Sequence, residues 1–312
     1  DGTQGAEGFR IDGDFRPFAG TVGDTDGDHL SDVFVAGYGR VFVVRGKADT
    51  LPVDVATFGL GVTRGYEVQH PRRRRDGWSS AAFAGDANGD GLGDLAISAG
   101  TTTAQALWVV FGKPDDTKVR VRELGDAGYT IDGAVSLGGL GTGGDVNGDD
   151  LDDLVVGDSY ANRAYVVFGQ ADTDTVPLDD LGTRGFRILG PPTRTRQLAH
   201  AAAGRFVAGD VDVDADGLSD FVVSAPEADH RRRRDSGSAY LLFGRRGTNT
   251  IRLGRLGDKG IRLDGEDAGD RLGTGLALAG DVTGDGLPDL LLGEYGERGA
   301  GAVHVVSYRL LF

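Results

Sequence analysis

The chain has 312 residues, with 48 acidic and 33 basic side chains, a formal charge of −15, 54 glycines, and neither cysteine nor methionine. This length supports a sizeable core, and the missing cysteine excludes a disulfide framework, a thiolate metal site and a cysteine nucleophile. The acidity argues against a nucleic-acid partner, no apolar run reaches the roughly 18 residues of a membrane span, and the lack of an initiator methionine fits a processed mature form or a piece of a longer chain.

In chain order the first extended segment is GFRIDG at 8–13. An acidic string, DTDGDHLSD, follows from Asp24 to Asp32 and runs straight into the apolar segment DVFVAG, then RVFVVRG and, after a polar connection, GYEVQ. The second unit repeats this layout with SSAAFAG, DANGDGLGD (Asp86 to Asp94), DLAISAG, ALWVVFG and GYTIDG. The third carries DVNGDDLDD (Asp145 to Asp153), DLVVGD, AYVVFG and GFRILG; the fourth carries DVDADGLSD (Asp212 to Asp220), DFVVSAP, AYLLFG and GIRLDG. In the fifth, TGLALAG, DVTGDGLPD (Asp281 to Asp289), DLLLGE and AVHVVSY appear, with no fourth segment after them.

The apolar runs are short, β-branched or aromatic, and bounded by Gly, Asp and Pro, which is the pattern of strands. Four strands per unit, termed A to D, repeat every 60 to 70 residues or so, and that period predicts a β-propeller. We therefore expect an all-β chain folded as one five-bladed β-propeller over 1–312, each blade a four-stranded antiparallel sheet. The approximate blades are 14–70, 71–132, 133–190, 191–265 and 266–312, and the N-terminal strand at 8–13 is expected to complete the last blade and close the ring.

Oxygen donors at loop positions one, three, five and nine, with a backbone carbonyl at seven, can wrap a hard cation that takes six to eight oxygens. The first loop offers Asp24, Asp26, Asp28 and Asp32 with the carbonyl of Leu30; the second, Asp86, Asn88, Asp90 and Asp94 with Leu92. The third offers Asp145, Asn147, Asp149 and Asp153 with Leu151, and the fourth Asp212, Asp214, Asp216 and Asp220 with Leu218. In the fifth, Asp281, Thr283, Asp285 and Asp289 stand with Leu287. Thr283 makes this the weakest expected site, and a two-residue insertion bearing Asp210 leaves the register of the fourth loop open. An EF-hand needs a bidentate Glu at position twelve. That position is Val35, Ile97, Val156, Val223 or Leu292, so the EF-hand is excluded. A single such loop could be a plain polar turn, but five in one register point to up to five structural Ca²⁺ ions, which would leave a net charge of about −5.

Five acidic loops each entering a strand resemble the FG-GAP repeats of the integrin α-subunit propeller, across essentially the whole chain. The resemblance implies calcium loops joining strands A and B, an extracellular or cell-surface setting, and a role in adhesion or ligand capture. Five units are visible where integrin propellers have seven, and the Gly-Ala-Pro element appears as Ser224, Ala225 and Pro226.

Alternate connections of a meander emerge on one side, so the A–B and C–D connections should share a face opposite the B–C and D–A loops. Those opposite loops carry Arg72, Arg73, Arg74 and Arg75 before Trp78, then Arg194 and Arg196, then Arg231, Arg232, Arg233 and Arg234. Arginine forks suit carboxylate, sulfate or phosphate, and Trp78, Tyr160 and Tyr295 could stack on sugar rings, so an acidic glycan or a protein ligand is the expected partner. Charge runs are also commonly no more than solvated surface. His70, His200 and His230 fall on the same face, but no nucleophile or carboxylate stands at a diagnostic spacing, so no catalytic residue is assigned. His304 occupies the strand C position of Phe42, Trp108, Tyr165 and Tyr240, and is expected to pack as they do. The reading is a secreted or surface-displayed calcium-binding module; the alternatives are an extracellular lyase or hydrolase acting on acidic polysaccharide, and a purely structural domain of a larger surface protein. Arginine dominates over lysine, which occurs only at Lys47, Lys113, Lys118 and Lys259, a bias expected of a GC-rich bacterial source.

Overall fold

In the computed structural model of the protein, the residues described are 8–14, 18–37, 40–58, 60, 64–69, 78–101, 104–133, 138–192, 201–296 and 301–310. The short apolar runs form strands, and the polar Gly and Asp strings between them form turns. The first sheet is built from Phe18–Gly23 (β2), Asp32–Gly37 (β3), Arg40–Val44 (β4) and Gly65–Gln69 (β6), joined in antiparallel order. The second uses Trp78–Gly85 (β7), Asp94–Thr101 (β8), Ala104–Val110 (β9) and Gly128–Asp132 (β11). Leu140–Gly144 (β12), Asp153–Asp158 (β13), Arg163–Val167 (β14) and Gly185–Leu189 (β16) make the third. Val207–Val211 (β17), Asp220–Ala225 (β18), Ser238–Leu242 (β19) and Gly260–Asp264 (β21) make the fourth. The last sheet has three strands: Gly275–Ala279 (β22), Asp289–Tyr295 (β23) and Gly301–Val306 (β24).

Strand D opens with a glycine for a steric reason. At Gly65, Gly128, Gly185 and Gly260, φ lies between 143° and 154°, and a Cβ there would sit about 2 Å from a carbonyl of strand C. Only glycine tolerates both conditions.

One set of elements was not expected from the sequence. Within the C–D connections lie four two-residue strands, Val53–Asp54 (β5), Val119–Arg120 (β10), Val176–Pro177 (β15) and Ile251–Arg252 (β20). Three of them pair in parallel with strand D of the preceding sheet: β10 with β6, β15 with β11 and β20 with β16. The fourth, β5, pairs with Ile11–Asp12 (β1). The 8–13 segment thus takes, beside β5, the place that strand D of a preceding sheet takes beside β10, β15 and β20, but it is not paired with β24, the pairing that completion of the last blade requires. It is held on the first sheet, with Phe9 and Ile11 packed against the cluster of Val35, Phe42, Val44, Val53 and Val55. Among the described residues no strand covers the outer edge of β24, where Val303 is 68% exposed.

Packing explains why the strands read as continuous apolar runs. Successive side chains of a strand point to opposite faces, and in the second, third and fourth sheets both faces are covered by neighbouring sheets. In β13, Val155 joins a cluster with Phe221, Val223 and Tyr240 of the fourth sheet, while Leu154 and Val156 join Leu107, Val109 and Tyr129 of the second. Equivalent clusters fill the spaces between the first and second and between the fourth and fifth sheets. The first strands of successive sheets, β2, β7, β12, β17 and β22, lie side by side. Between the first two sheets the contact is also ionic: Glu67, 5% exposed, lies 3.2 Å from Arg40 and 2.5 Å from Lys118 of the next unit. The architecture is all-β, largely antiparallel and multi-sheeted, consistent with a propeller.

Candidate functional site: the acidic loops and the arginine loop

Each acidic loop joins strands A and B and folds on the same hydrogen-bond frame. The position-one carboxylate turns inward and in all five loops accepts the N–H of position six, and in loops two, three and five it accepts those of positions four to six: Asp86 from Gly89, Asp90 and Gly91 at 2.8 to 3.0 Å, and Asp281 from Gly284, Asp285 and Gly286 at 2.6 to 2.9 Å. The side chain at position five accepts the N–H of position seven, as Asp90 does from Leu92 and Asp216 from Leu218. Glycine makes the tight turn possible, with φ of 85° at Gly91 and 87° at Gly217.

Position nine behaves differently from the rest. Asp32, Asp94, Asp153, Asp220 and Asp289 are fully buried. One oxygen accepts the N–H of position two: Ala87 to Asp94 at 2.9 Å, Val146 to Asp153 at 3.0 Å, Val213 to Asp220 at 2.9 Å. In the first four loops the other oxygen accepts the N–H of the glycine that follows strand C, namely Gly46, Gly112, Gly169 and Gly244, at 2.7 to 2.9 Å. These bonds also place the A–B and C–D connections on one face, as the meander argument expects. Burial pushes the carboxyls of Asp94 and Asp153 up to about 8 and that of Asp220 up to about 6, against the pull of these N–H donors.

The donor set fits a hard cation in two loops most directly. One oxygen each of Asp24, Asp26 and Asp28, and one each of Asp212, Asp214 and Asp216, lie within 4.8 Å of one another, and clustered carboxylate oxygen is what such a cation requires. The first cluster is partly balanced already, because Arg45 Nε lies 2.8 Å from Asp26 Oδ2. In the cluster of the fourth loop all three residues are exposed. Its register, left open by the sequence, is that of the other loops: Val211 stands opposite Asp220 as Gly85 stands opposite Asp94. Asp210 takes the irregular position before it, with φ of 78°. Asn88 and Asn147 instead donate to Asp90 and Asp149 at 3.0 and 2.9 Å, and Thr283 donates to Asp289 at 3.0 Å. Beside the second loop, Asn88 and Asp90 line a recess of about 410 Å³ with Lys113, Asp115 and Lys118.

Of the arginine-rich loops, the structure describes one. Arg72, Arg73, Arg74, Arg75, Arg194, Arg196, His70 and His200 lie outside the described residues, and of Trp78 only its place at the start of β7 is described. The loop from β18 to β19 is built on its own turns. Asp229 accepts the N–H of Asp235 at 3.0 Å, the N–H of Arg233 donates to the His230 carbonyl at 2.8 Å, and Arg231 and Arg232 hold φ of 47° and 70°. Gly269 and Arg271 donate to the carbonyls of Arg234 and Asp235, and the Arg233 guanidinium reaches the Glu266 carbonyl. Arg233 is thereby a tether, while Arg231, Arg232 and Arg234 are exposed and line, with Asp229, an open recess of about 750 Å³.

His230 lies 3.3 Å from Asp264 with a side chain only 15% exposed. Burial, with Arg262, Arg231 and Arg233 nearby, holds its imidazole below the usual value, opposed by Asp264. His304 does stand opposite Leu292, as Tyr165 stands opposite Val156. It is not packed, however: its side chain is 47% exposed and its Nε2 is 2.7 Å from Glu294, and among the described residues no strand covers the outer edge of β24. Tyr160 and Tyr295 are exposed, at 66% and 60%.

With this geometry in place, the comparisons with known proteins bear on the same elements. The FG-GAP repeat model matches residues 203–242 and 272–306, which hold the fourth and fifth acidic loops with their flanking strands. The phosphatidylinositol-glycan-specific phospholipase D of Homo sapiens is 31% identical over 174 residues, covering 53% of this chain and 19% of that protein. Integrin alpha pat-2 of Caenorhabditis briggsae is 26% identical over 246 residues, 69% of this chain and 18% of that protein. A crystal structure of BBS1N in complex with ARL6DN aligns with a TM-score of 0.41 at 13% identity, covering 95% of this chain and 69% of that one. The chain is distantly related to FG-GAP and integrin-like proteins, and it spans about a fifth of the length of the curated relatives it matches.

Proposed function

We propose that the chain is a calcium-stabilised, secreted or cell-surface ligand-binding module, a five-bladed propeller whose ring would close by pairing of the 8–13 strand with β24. The observation that carries the calcium reading is the pair of carboxylate triads, Asp24, Asp26 and Asp28 with Asp212, Asp214 and Asp216, each gathered within 4.8 Å. Like charges that close repel unless a cation lies among them, and the loops repeat one hydrogen-bond frame five times. Bound calcium would neutralise the clustered carboxylates and stiffen the A–B turns; extracellular calcium is millimolar, which suits modules of modest affinity. Similarity to integrin alpha pat-2 supports a role in adhesion.

The partner we assign is an acidic glycan or protein, held at the face of the Arg231, Arg232 and Arg234 loop. Guanidinium groups fixed on an ordered loop can pair with carboxylate or sulfate in two-pronged fashion. The experiment is binding of the calcium-loaded chain to neutral and acidic glycans at low and high salt. Salt-sensitive binding to acidic members alone supports this reading; equal binding to neutral members refutes it. An enzymatic role, the second reading, would require product formation that depends on His70, His200 or His230.

A further inference from the structure

Neighbouring acidic loops touch through the main chain, and one loop position recurs in the contacts. The N–H at position eight donates to the position-one carbonyl of the preceding loop: Gly93 to Asp24 at 2.7 Å, Asp152 to Asp86 at 3.1 Å, and Ser219 to Asp145 at 2.8 Å. Loops one to four are thereby chained. The second and third links are reinforced by Asp86 N–H donating to the Asp152 carboxylate at 2.7 Å, Gln170 N–H to the Ala87 carbonyl at 2.8 Å, and Arg245 N–H to the Val146 carbonyl at 2.6 Å. In the fifth loop position eight is Pro288, which has no N–H to give. Among the described residues no main-chain bond runs from that loop to the Asp212 carbonyl.

The N–H of position eight belongs to the same peptide unit as the carbonyl of position seven, as in Leu92–Gly93, Leu151–Asp152 and Leu218–Ser219. In a trans peptide the two groups point in opposite directions. A bond from the N–H to the preceding loop therefore fixes which way the leucine carbonyl faces. In the calcium reading that carbonyl is the main-chain donor to the cation.

We infer that position eight couples calcium uptake between neighbouring loops one to four, and that Pro288 leaves the fifth loop outside the coupled set. This rests on the calcium reading. A cation drawing on the Leu92 carbonyl polarises the peptide and strengthens the donation of Gly93 to Asp24. Asp24 opens the preceding loop and supplies its first ligand, so filling one loop orders the main chain of the loop before it. Coupling of this kind is reciprocal. One hydrogen bond of ordinary net strength per link corresponds to roughly a two- to tenfold gain in affinity for a neighbour.

Calorimetric calcium titration of the chelator-stripped chain tests this with three variants: S219P, S219A and P288S. None alters a proposed ligand side chain, and proline already occupies position eight of the fifth loop, so the layout accepts it. The expected result is a steep phase with a Hill coefficient above one, plus a separate independent site. S219P should shrink the steep phase by releasing loop four, S219A should leave it intact because the N–H remains, and P288S should draw the fifth site into it. Far-UV circular dichroism verifies that each variant folds; if S219P does not, P288S carries the test alone. Independent sites in the wild type, with the same isotherm in P288S, overturn the coupling while leaving the calcium reading standing. No calcium uptake by any form overturns both.

Discussion

The carboxylate of Asp94 accepts the main-chain N–H of Gly112 at 2.8 Å, tying the second acidic loop to the turn that follows strand C. Its other oxygen accepts Ala87 N–H at 2.9 Å, so a fully buried acid ends two buried donors at once. Asp94→Ala would leave both donors without a partner, and each orphaned buried group costs about 1–3 kcal/mol. The expected loss is about 2–5 kcal/mol, read as a fall in the urea midpoint at unchanged m-value. Asp90→Ala, in the exposed part of the same loop, should cost under about 1 kcal/mol in the calcium-free chain. Equal losses in the two variants would contradict the structural role of position nine.

Calcium removal should expose a pH dependence with a definite sign. In the calcium-free chain Asp94 and Asp153 hold their protons up to about 8 because burial disfavours the charged form. Unfolded, they release them near the ordinary carboxylate value of about 4. Between these limits the folded state binds more protons, so unfolding free energy falls as pH rises. In EDTA the melting temperature should therefore be higher at pH 5 than at pH 8. With calcium present the order should reverse, since the cation competes with protons for the same oxygens. A melt at pH 8 that is identical with calcium and with EDTA would sink the calcium reading.

The arginine loop divides into a tether and a contact surface, and mutation should separate them. Arg233 reaches the Glu266 carbonyl, whereas Arg231, Arg232 and Arg234 face the open recess. The triple variant R231S/R232S/R234S should keep its melting temperature within about 2 °C, as surface changes usually cost under 0.5 kcal/mol. It should lose acidic-glycan binding tenfold or more, since charge-assisted pairs are the strong ones. Unchanged binding would favour the structural-domain alternative for this loop.

Much of the strand plan was legible in the sequence because the second, third and fourth sheets are buried on both faces, which turns their strands into short continuous apolar runs such as Leu154 to Val156. The loops were legible because a tight turn at positive φ favours glycine, present in each loop at position four or six, beside carboxylates at fixed positions. The two-residue strands β5, β10, β15 and β20 were not, since two residues such as Val119 and Arg120 carry no periodicity. Position nine was read as a cation ligand, and nothing in its spacing told that both oxygens of Asp94 are engaged by N–H groups. His304 was misread because strand alignment gives its place in a sheet but not whether a neighbour covers that sheet.

Closure of the ring can be tested by chemistry that this chain leaves clean. In the four complete sheets the opening glycine of strand D stands opposite the last residue of strand C: Gly65 with Val44, Gly128 with Val110, Gly185 with Val167, Gly260 with Leu242. The segment Gly8 to Asp12 has the same sequence pattern, and Gly8 has nothing within 4 Å of where its Cβ would be. In a closed ring the same register would set Gly8 opposite Val306 and Arg10 opposite His304. Facing positions of this kind bring Cβ atoms within about 5 Å, inside the reach of a disulfide after small adjustment. Because the chain has no cysteine, R10C/H304C introduces the sole thiols. Oxidation should give a monomer with an internal disulfide and a raised melting temperature. Cross-linking between copies, or free thiols after oxidation, would mean that the five units form an arc of a larger array.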